Sequence, residues 1–190
     1  MLPEKIIYVG IAINVILSLY YVKSIIFGTT RPNLVSWFMW TLAPLTGFFL
    51  QIKAGAGIAS AGVFIAGFFP LITLIIFLFR KDNYWKISLF DIVCGSLAVL
   101  ALIFYVFTHN LSVSIIFAIL SDALAYLPTL KKSWYFPETE SSSAYVGGAL
   151  NNTIALSIIK NWSFAIYAFP AYLIFSNLLE ICFIYRKKFL

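Results

Sequence analysis

Apolar residues run through the chain in seven long stretches, and short polar segments separate them. The stretches cover residues 5–27, 33–52, 57–79, 87–107, 111–131, 142–159 and 163–185. A helix needs about 20 mostly apolar residues to cross a bilayer, and each stretch is near that length. Because hydrocarbon cannot satisfy open backbone groups, such short connections leave only a helix bundle. The pattern therefore predicts an all-α membrane protein with seven transmembrane helices, forming one membrane domain over residues 1–190.

The composition excludes an ordinary soluble domain. Charged residues make up 11% of the chain and hydrophobic residues 62%, whereas soluble domains average about a quarter charged residues. Aromatic residues reach 18%, as is usual where side chains face lipid and its interfaces. The net charge of +6 comes from basic residues at the ends of the predicted helices. We therefore expect the lipid bilayer as a partner and no nucleic acid.

The distribution of basic residues predicts the orientation of the bundle. The N-terminus and the second, fourth and sixth connections hold only Lys5, Lys53 and Lys160. The other side holds ten basic residues: Lys23, Arg31, Arg80, Lys81, Lys86, Lys131, Lys132, Arg186, Lys187 and Lys188. Since basic residues concentrate on the cytoplasmic side, we expect the N-terminus outside and the C-terminus in the cytoplasm, in the plasma membrane.

The chain also matches itself in a way that indicates an internal repeat. Tyr21, Pro32 and Ser36 each match an identical residue type 105 residues later, at Tyr126, Pro137 and Ser141. In the third helix of each half, Phe69-Pro70 matches Phe169-Pro170 at a shift of 100 residues. The matches predict two parallel three-helix repeats, residues 5–81 and 111–187, joined by a linker helix at 87–107. Parallel repeats of this kind are a known construction of transporters.

Residues 125–129, Ala-Tyr-Leu-Pro-Thr, precede two lysines and a short polar loop with Pro137. This segment resembles the PQ-loop signature, and the 3+1+3 plan is similar to that of the SWEET sugar transporters. The wider PQ-loop superfamily also includes the cystinosin-like exporters and the KDEL receptors. The chain differs from the family at Thr129, where the family has Gln, at Lys23, which replaces a proline, and at Ala171, where SWEETs have Asn. The resemblance implies a fold with two helical halves and a solute site between them.

Asp122 is the strongest candidate for chemistry, because a charged group at the centre of a spanning helix costs about 3 kcal/mol or more. It lies midway along the fifth helix, with Tyr126 one turn later on the same face. The pair predicts a hydrogen-bonding site for substrate or a site for a proton. The alternative is a carboxyl group satisfied by a neighbouring helix. Asp91 and Glu180 are expected to be interface or packing charges.

Asparagines and a tyrosine supply further candidates for contact with a polar solute. Asn151 and Asn152 follow two glycines in the sixth helix, and Asn offers both donors and acceptors, as a hydroxyl-rich solute requires. The same residues would also serve as a hydrogen-bonded contact between closely packed helices. Asn14 and Tyr21 lie on one stripe of the first helix and are predicted to line the pathway.

Two tryptophans one turn apart are the last binding candidates. Trp37 and Trp40 lie near the cytoplasmic end of the second helix. A tryptophan face can support a sugar ring or a cation, but tryptophan is also enriched in the aromatic belt at the membrane interface. Both interpretations stay open on the sequence.

Prolines occur inside four predicted helices. A proline removes a backbone hydrogen bond and allows a helix to bend. We therefore predict hinges that permit alternating access at Pro44, Pro70, Pro128 and Pro170.

No nucleotide-binding loop, nucleophile motif or metal-ligand spacing is present, so we expect no enzyme, cofactor or metal. The cysteines, Cys94 and Cys182, both fall in apolar stretches. The sequence thus predicts a facilitator or proton-coupled transporter of a small polar solute, with a sugar favoured. A cystinosin-like amino-acid exporter and a non-transporting receptor or scaffold are the alternatives. A monomer would suffice for a pathway, and a homo-oligomer is compatible with the pattern.

Overall fold

Seven α-helices make up almost all of the part of the chain that the structure describes. The computed structural model describes residues 4–53, 61–80, 84–108, 110–159 and 162–188, and these contain no β-strand. The helices are α1 (Ile7–Ile26), α2 (Leu34–Lys53), α3 (Ala61–Phe79), α4 (Leu89–Phe107), α5 (Leu111–Tyr135), α6 (Ser143–Ser157) and α7 (Phe164–Tyr185). Short 3-10 turns cover Glu4–Ile6, Pro137–Thr139 and Arg186–Lys188. The all-helical fold and the predicted number of helices are confirmed for the described residues.

The predicted helix bounds needed two corrections. The fifth helix was predicted to end at residue 131, but α5 continues to Tyr135. The two lysines at that boundary do not end it, because Lys132 forms a buried ion pair with Glu140. The sixth helix was predicted to reach residue 159, but α6 ends at Ser157 in a tightened turn, where Ile158 N–H donates to the Ala155 carbonyl. Residues 57–60 of the third predicted span lie outside the described residues.

Three helices begin at a side chain that caps their free N–H groups. Asn33 accepts from the backbone N–H groups at the start of α2, and Asn110 does the same at the start of α5. At the start of α4, Ser88 and Asp91 cap each other's backbone. The buried Asp91 carboxylate also accepts from Asn33 Nδ2 at 3.2 Å. Asp91 therefore ties the start of α4 to the start of α2, which explains its burial near a helix end.

Within the described residues, four helical segments are long and apolar enough to cross a membrane: Ile7–Ile26, Leu89–Phe107, Ser112–Tyr135 and Ile166–Tyr185. The same residues include shorter apolar segments, Leu34–Leu45 in α2 and Phe64–Phe79 in α3. Large apolar side chains on α4, among them Leu97, Leu100 and Phe107, are exposed. Contiguous exposed apolar surface on this scale is typical of a surface that meets lipid. These features indicate an integral membrane protein.

We call α1, α2 and α3 the first triplet and α5, α6 and α7 the second triplet, because the contacts within the two groups correspond. α3 packs against both α1 and α2, and α7 packs against both α5 and α6. The triplets meet through α1 with α6 and through α2 with α5. α4 packs mainly on α5 and also on α2.

One end of the bundle gathers the basic residues. Backbone and side-chain hydrogen bonds join the α1–α2 loop to the α5–α6 loop, the end of α3 to the end of α1, and the α3–α4 loop to Pro32. We call this the basic end. Its described basic residues are Lys23, Arg31, Arg80, Lys86, Lys131, Lys132, Arg186, Lys187 and Lys188.

The two triplets approach most closely where α1 crosses α6, and glycine allows the approach. A Cβ atom at Gly10 would lie 3.0 Å from Asn151 Oδ1, and one at Gly147 would lie 3.0 Å from Asn14 Oδ1. Each helix thus carries a glycine and, four residues later, an asparagine that packs on the glycine of the other helix. Small residues at membrane helix crossings let backbones come close enough for such contacts.

Gly147→Leu should therefore separate α1 from α6 and destabilise the fold by about 1–3 kcal/mol, the usual cost of overpacking. The added side chain has no room, because the Asn14 backbone also lies 3.2 Å from the Cβ position. Thermal unfolding of the purified protein in detergent measures the effect. Ala12→Leu, on the exposed face of α1, is the matched control and should leave the melting temperature unchanged. Equal melting of both variants would contradict the close crossing.

Candidate functional site

Five buried aromatic side chains meet where the two triplets face each other. They come from α1, α2, α5 and α6, and each is at most 7% exposed: Tyr21, Trp37, Trp40, Tyr126 and Tyr145. The ring centroids of Tyr21 and Trp37 are 4.7 Å apart, and those of Trp40 and Tyr126 are 4.5 Å apart. Tyr145 lies 6.3–6.4 Å from three of the other rings. We call this group the aromatic plug, because its rings fill the space between the triplets.

Among the described residues, three buried polar groups of the plug have no hydrogen-bond partner: the two indole N–H groups and the Tyr145 hydroxyl. The indole Nε1 atoms of Trp37 and Trp40 are buried, and neither has an acceptor among the described residues. A buried indole N–H usually finds a partner, and leaving a buried polar group unpaired costs about 1–3 kcal/mol. An acceptor from outside the chain would remove this cost.

A second, charged group lies beside the plug at the basic end. Glu140 Oε2 pairs with Lys132 Nζ, and both side chains are 0% exposed. Glu140 Oε1 accepts from the Tyr21 hydroxyl at 2.6 Å, and Lys132 Nζ also donates to the Arg31 carbonyl at 2.7 Å. The ion pair belongs to the second triplet and holds the first triplet at Tyr21 and Arg31. We call these four residues the Lys132–Glu140 network.

Two further hydrogen bonds join the triplets at the basic end. Thr129 Oγ1 on α5 donates to Ser36 Oγ on α2 at 2.8 Å, and both residues are fully buried. In the loops, Arg31 N–H donates to the Thr139 carbonyl at 2.9 Å. The basic end is therefore closed by a charged network, a hydroxyl pair and the aromatic plug.

Asp122 points within the second triplet. It is 4% exposed and accepts from the Tyr172 hydroxyl of α7 at 2.8 Å. Its predicted companion Tyr126 donates to Asn177 Oδ1, also on α7, at 3.2 Å. No basic side chain of the described residues forms a salt bridge with Asp122. Tyr172 is therefore a partner from a neighbouring helix, as the alternative interpretation of Asp122 predicted. The carboxyl group has no counter-ion among the described residues.

The three predicted asparagines are placed differently from one another. Asn14 accepts from Ser18 at 3.3 Å within α1 and packs on Gly147. Asn151 packs on α1, and its Oδ1 has no donor among the described side chains and backbone. Asn152 Nδ2 donates to the Gly148 carbonyl of its own helix at 2.8 Å. Asn14 and Asn151 therefore lie at the crossing between the triplets, whereas the Asn152 amide is engaged within α6.

The four predicted hinge prolines all lie inside helices that continue past them, in α2, α3, α5 and α7. Pro128 is fully buried. Nothing in the structure tests bending at these positions, so the hinges stay a prediction.

Sequence reasoning missed Tyr145, Lys132 and Glu140 as site residues. The repeat contained a signal for Tyr145, because it follows Trp40 by the same 105 residues that separate Tyr21 from Tyr126. Lys132 was counted only as an indicator of orientation. No comparable signal in the sequence links it to Glu140, because both lie next to a predicted helix end where solvated charge is the usual expectation.

A groove of about 530 Å³ lies between α2, α3 and α4, away from the plug. Its lining is almost wholly apolar and includes Leu34, Phe77 and Val99. Such a surface suits lipid chains better than a polar solute. Within the described ranges, no group of three His, Cys, Asp or Glu side chains could hold a metal ion.

Comparison with known proteins adds no relative to these observations. No protein-family model, no curated protein and no solved structure matches the chain. The resemblance to the PQ-loop proteins therefore stays a prediction that depends on residues 125–137 and on the repeat.

Proposed function

We propose that the chain is a seven-span transporter that carries a small polar solute, a sugar in the leading case, between two three-helix halves. In this proposal residues 5–81 and 111–187 are the halves, and the helix near 87–107 links them. The solute passes between the halves, as in transporters built from parallel repeats. Alternating access requires the closure at the basic end to open and reform.

The arrangement of the helices supports the two-half architecture. Exchanging α1, α2 and α3 for α5, α6 and α7 converts every main contact between these helices into another that is present. Thus the α1–α6 contact becomes the α5–α2 contact, and in each triplet the third helix packs on the other two. α6 has only 15 residues, fewer than the about 20 that a spanning helix needs. Because α1 and α7 pack against it, the rest of its span can be non-helical, since protein and not lipid covers the backbone.

The position of the charged residues supports the orientation. The basic end holds all but three of the chain's 13 basic residues by position in the sequence. An N-terminus outside and a C-terminus in the cytoplasm would place this end in the cytoplasm, in accordance with the positive-inside rule. In the proposed cycle the structure then represents a state closed on the cytoplasmic side.

The observation that carries the solute proposal is the pair of unsatisfied indole donors in a buried aromatic cluster. Binding sites for small molecules are mostly apolar and aromatic, with a few placed polar groups that fix orientation. Trp37 and Trp40 provide flat apolar faces together with N–H donors. A sugar has C–H surfaces that stack on such rings and hydroxyl oxygens that accept from them. Separation of the triplets would expose this surface to the solute.

Counterflow of labelled glucose in proteoliposomes tests the proposal. We expect saturable counterflow that unlabelled glucose abolishes. Trp40→Phe removes the donor and should raise the half-saturating concentration up to about tenfold, the value of one hydrogen bond. Trp162→Phe, at an exposed position, is the control and should behave as the wild type. Glucose that stabilises the protein without counterflow would indicate a receptor, and no effect of glucose would reject the sugar.

Asp122 favours a second candidate, a proton-coupled exporter of amino acids. Its buried carboxyl group receives a hydrogen bond from Tyr172 and has no salt bridge within the described part of the chain. Ionisable groups inside a membrane frequently belong to proton pathways. Solute-driven proton flux that Asp122→Asn abolishes would support this candidate. Wild-type transport by Asp122→Asn at every pH would remove Asp122 from the mechanism.

A further inference from the structure

Glu180 is a fully buried carboxyl group at the basic end, and one of its two oxygens has no hydrogen-bond partner among the described residues. The residue lies on α7 at 0% exposure. Its Oε1 accepts from the Ser133 hydroxyl of α5, but its Oε2 has no hydrogen-bond partner among the described residues. Arg186 lies over the Trp134 ring instead, and Lys187 pairs with Glu138. Arg186 and Lys187, in the turn that follows α7, therefore form no salt bridge with Glu180.

Among the described residues, the buried ammonium group nearby is that of Lys132, and it is already engaged. Lys132, next to Ser133 in α5, pairs with Glu140 and donates to the Arg31 carbonyl. The charged and titratable groups that interact electrostatically with Glu180 come from α1, α5, α6 and the α5–α6 loop: Tyr21, Lys132, Tyr126, Tyr145 and Glu140. If both carboxyl groups were ionised, one lysine would face two buried negative charges. Burial of an uncompensated charge is far more costly than burial of a neutral acid.

We propose that Glu180 is a proton-binding site and that its proton keeps the Lys132–Glu140 network closed. With the proton bound, the buried group of Lys132, Glu140 and Glu180 is electrically neutral, and Lys132 stays on Glu140. When the O–H bond of Glu180 breaks and the proton passes to water at the basic end, the new carboxylate competes with Glu140 for Lys132. Lys132 then releases its hold on Glu140 and on the Arg31 carbonyl.

Opening of the basic end should therefore depend on pH and become easier when Glu180 loses its proton. The network contacts the first triplet through two hydrogen bonds, at Tyr21 and at the Arg31 carbonyl. A weaker Lys132–Glu140 ion pair weakens both hydrogen bonds. The proton site itself depends only on the geometry around Glu180, whereas its link to an opening motion rests on the proposed function. The two parts are therefore tested separately.

Infrared spectroscopy of the purified protein tests the proton site without any solute or flux. The wild type at neutral pH should show a carboxylic-acid C=O stretching band that Glu180→Gln removes. Glu138→Gln, two residues from Glu140 but in an exposed ion pair with Lys187, should leave the band intact. Ser133→Ala keeps Glu180 but removes the donor to its Oε1, and should shift the band to higher frequency. A spectrum unchanged by Glu180→Gln and Ser133→Ala would overturn the proposal.

Cysteine labelling tests the link to opening. In a background with Cys94 and Cys182 replaced by Ala, Ser36→Cys places a thiol at a fully buried position in the contact between α2 and α5. A membrane-impermeant reagent applied at the basic end reacts with the thiolate, so every rate is divided by that of an exposed reference thiol, Glu138→Cys, at the same pH. This relative rate should be several-fold higher at alkaline pH than at acidic pH, and Glu180→Gln should keep it low at both. A relative rate that still rises with pH in Glu180→Gln would overturn the link. If the infrared and labelling results are both as expected but glucose shows no counterflow, only the sugar as substrate is rejected.

Discussion

Replacing Lys132 by Met should lower the free energy of unfolding by about 3–5 kcal/mol, the usual cost of removing one partner of a buried ion pair. The loss is large because Glu140 would remain at 0% exposure without a cation. The Tyr21 hydroxyl and the Ser141 N–H would still donate to it, but neither carries the positive charge that burial of a carboxylate requires. Denaturant-induced unfolding in mixed micelles, followed by circular dichroism, measures the change.

Two further variants show whether burial causes this effect. Lys187→Met breaks an ion pair at the same end of the bundle, but its partner Glu138 and Lys187 itself are about 60% exposed. Exposed pairs contribute about 0–1 kcal/mol, so the variant should be nearly as stable as the wild type. Lys132→Met/Glu140→Met removes both charges and should recover most of the lost stability. Equal losses in Lys132→Met and Lys187→Met would show that the network is not buried in solution.

Joining α2 to α5 should stop transport. Ser36 Oγ and Thr129 Oγ1 are 2.8 Å apart across the contact between the triplets. In a background without Cys94 and Cys182, oxidation of Ser36→Cys/Thr129→Cys should link the halves. Counterflow should fall at least about tenfold, because a covalent link prevents the separation that alternating access requires. A reducing agent should restore it.

A link within one half provides the control. Ser141 and Ser143 have hydroxyl oxygens 3.1 Å apart and both belong to the second triplet. Oxidised Ser141→Cys/Ser143→Cys should transport as well as its reduced form. Continued transport with α2 and α5 joined would contradict movement between the halves at this contact and would favour a rigid receptor or scaffold.

The sequence predicted the helices well and their ends less well. Apolar stretches of about 20 residues can satisfy their backbone only as helices in lipid, so their number and order follow from local composition. The ends depend on neighbours that are distant in sequence. α5 continues past Lys131 and Lys132 because Glu140 folds back to neutralise the second lysine, and a pattern of single-residue polarity contains no information on that pairing.

The candidate site was predicted in part. The cost of a charge inside a helix identified Asp122, and the structure buries it, but its partner Tyr172 is 50 residues away. Trp37 and Trp40 were selected as a pair, Tyr21 as part of a stripe on the first helix and Tyr126 as the neighbour of Asp122. The structure joins their rings in one plug. Asn152 was selected with Asn151, yet its amide bonds within its own helix.

The amino-acid sequence by itself determined the helical class, the membrane-like composition and the accumulation of basic residues at alternate helix ends. These properties are set residue by residue, through the free energy of moving each side chain from water into hydrocarbon. Only the tertiary structure decided which buried polar groups meet. It paired Lys132 with Glu140, left one oxygen of Glu180 without a partner among the described residues and set Asn14 against Gly147. Such pairings depend on the rotation and crossing of helices, which are settled by close packing over the whole bundle.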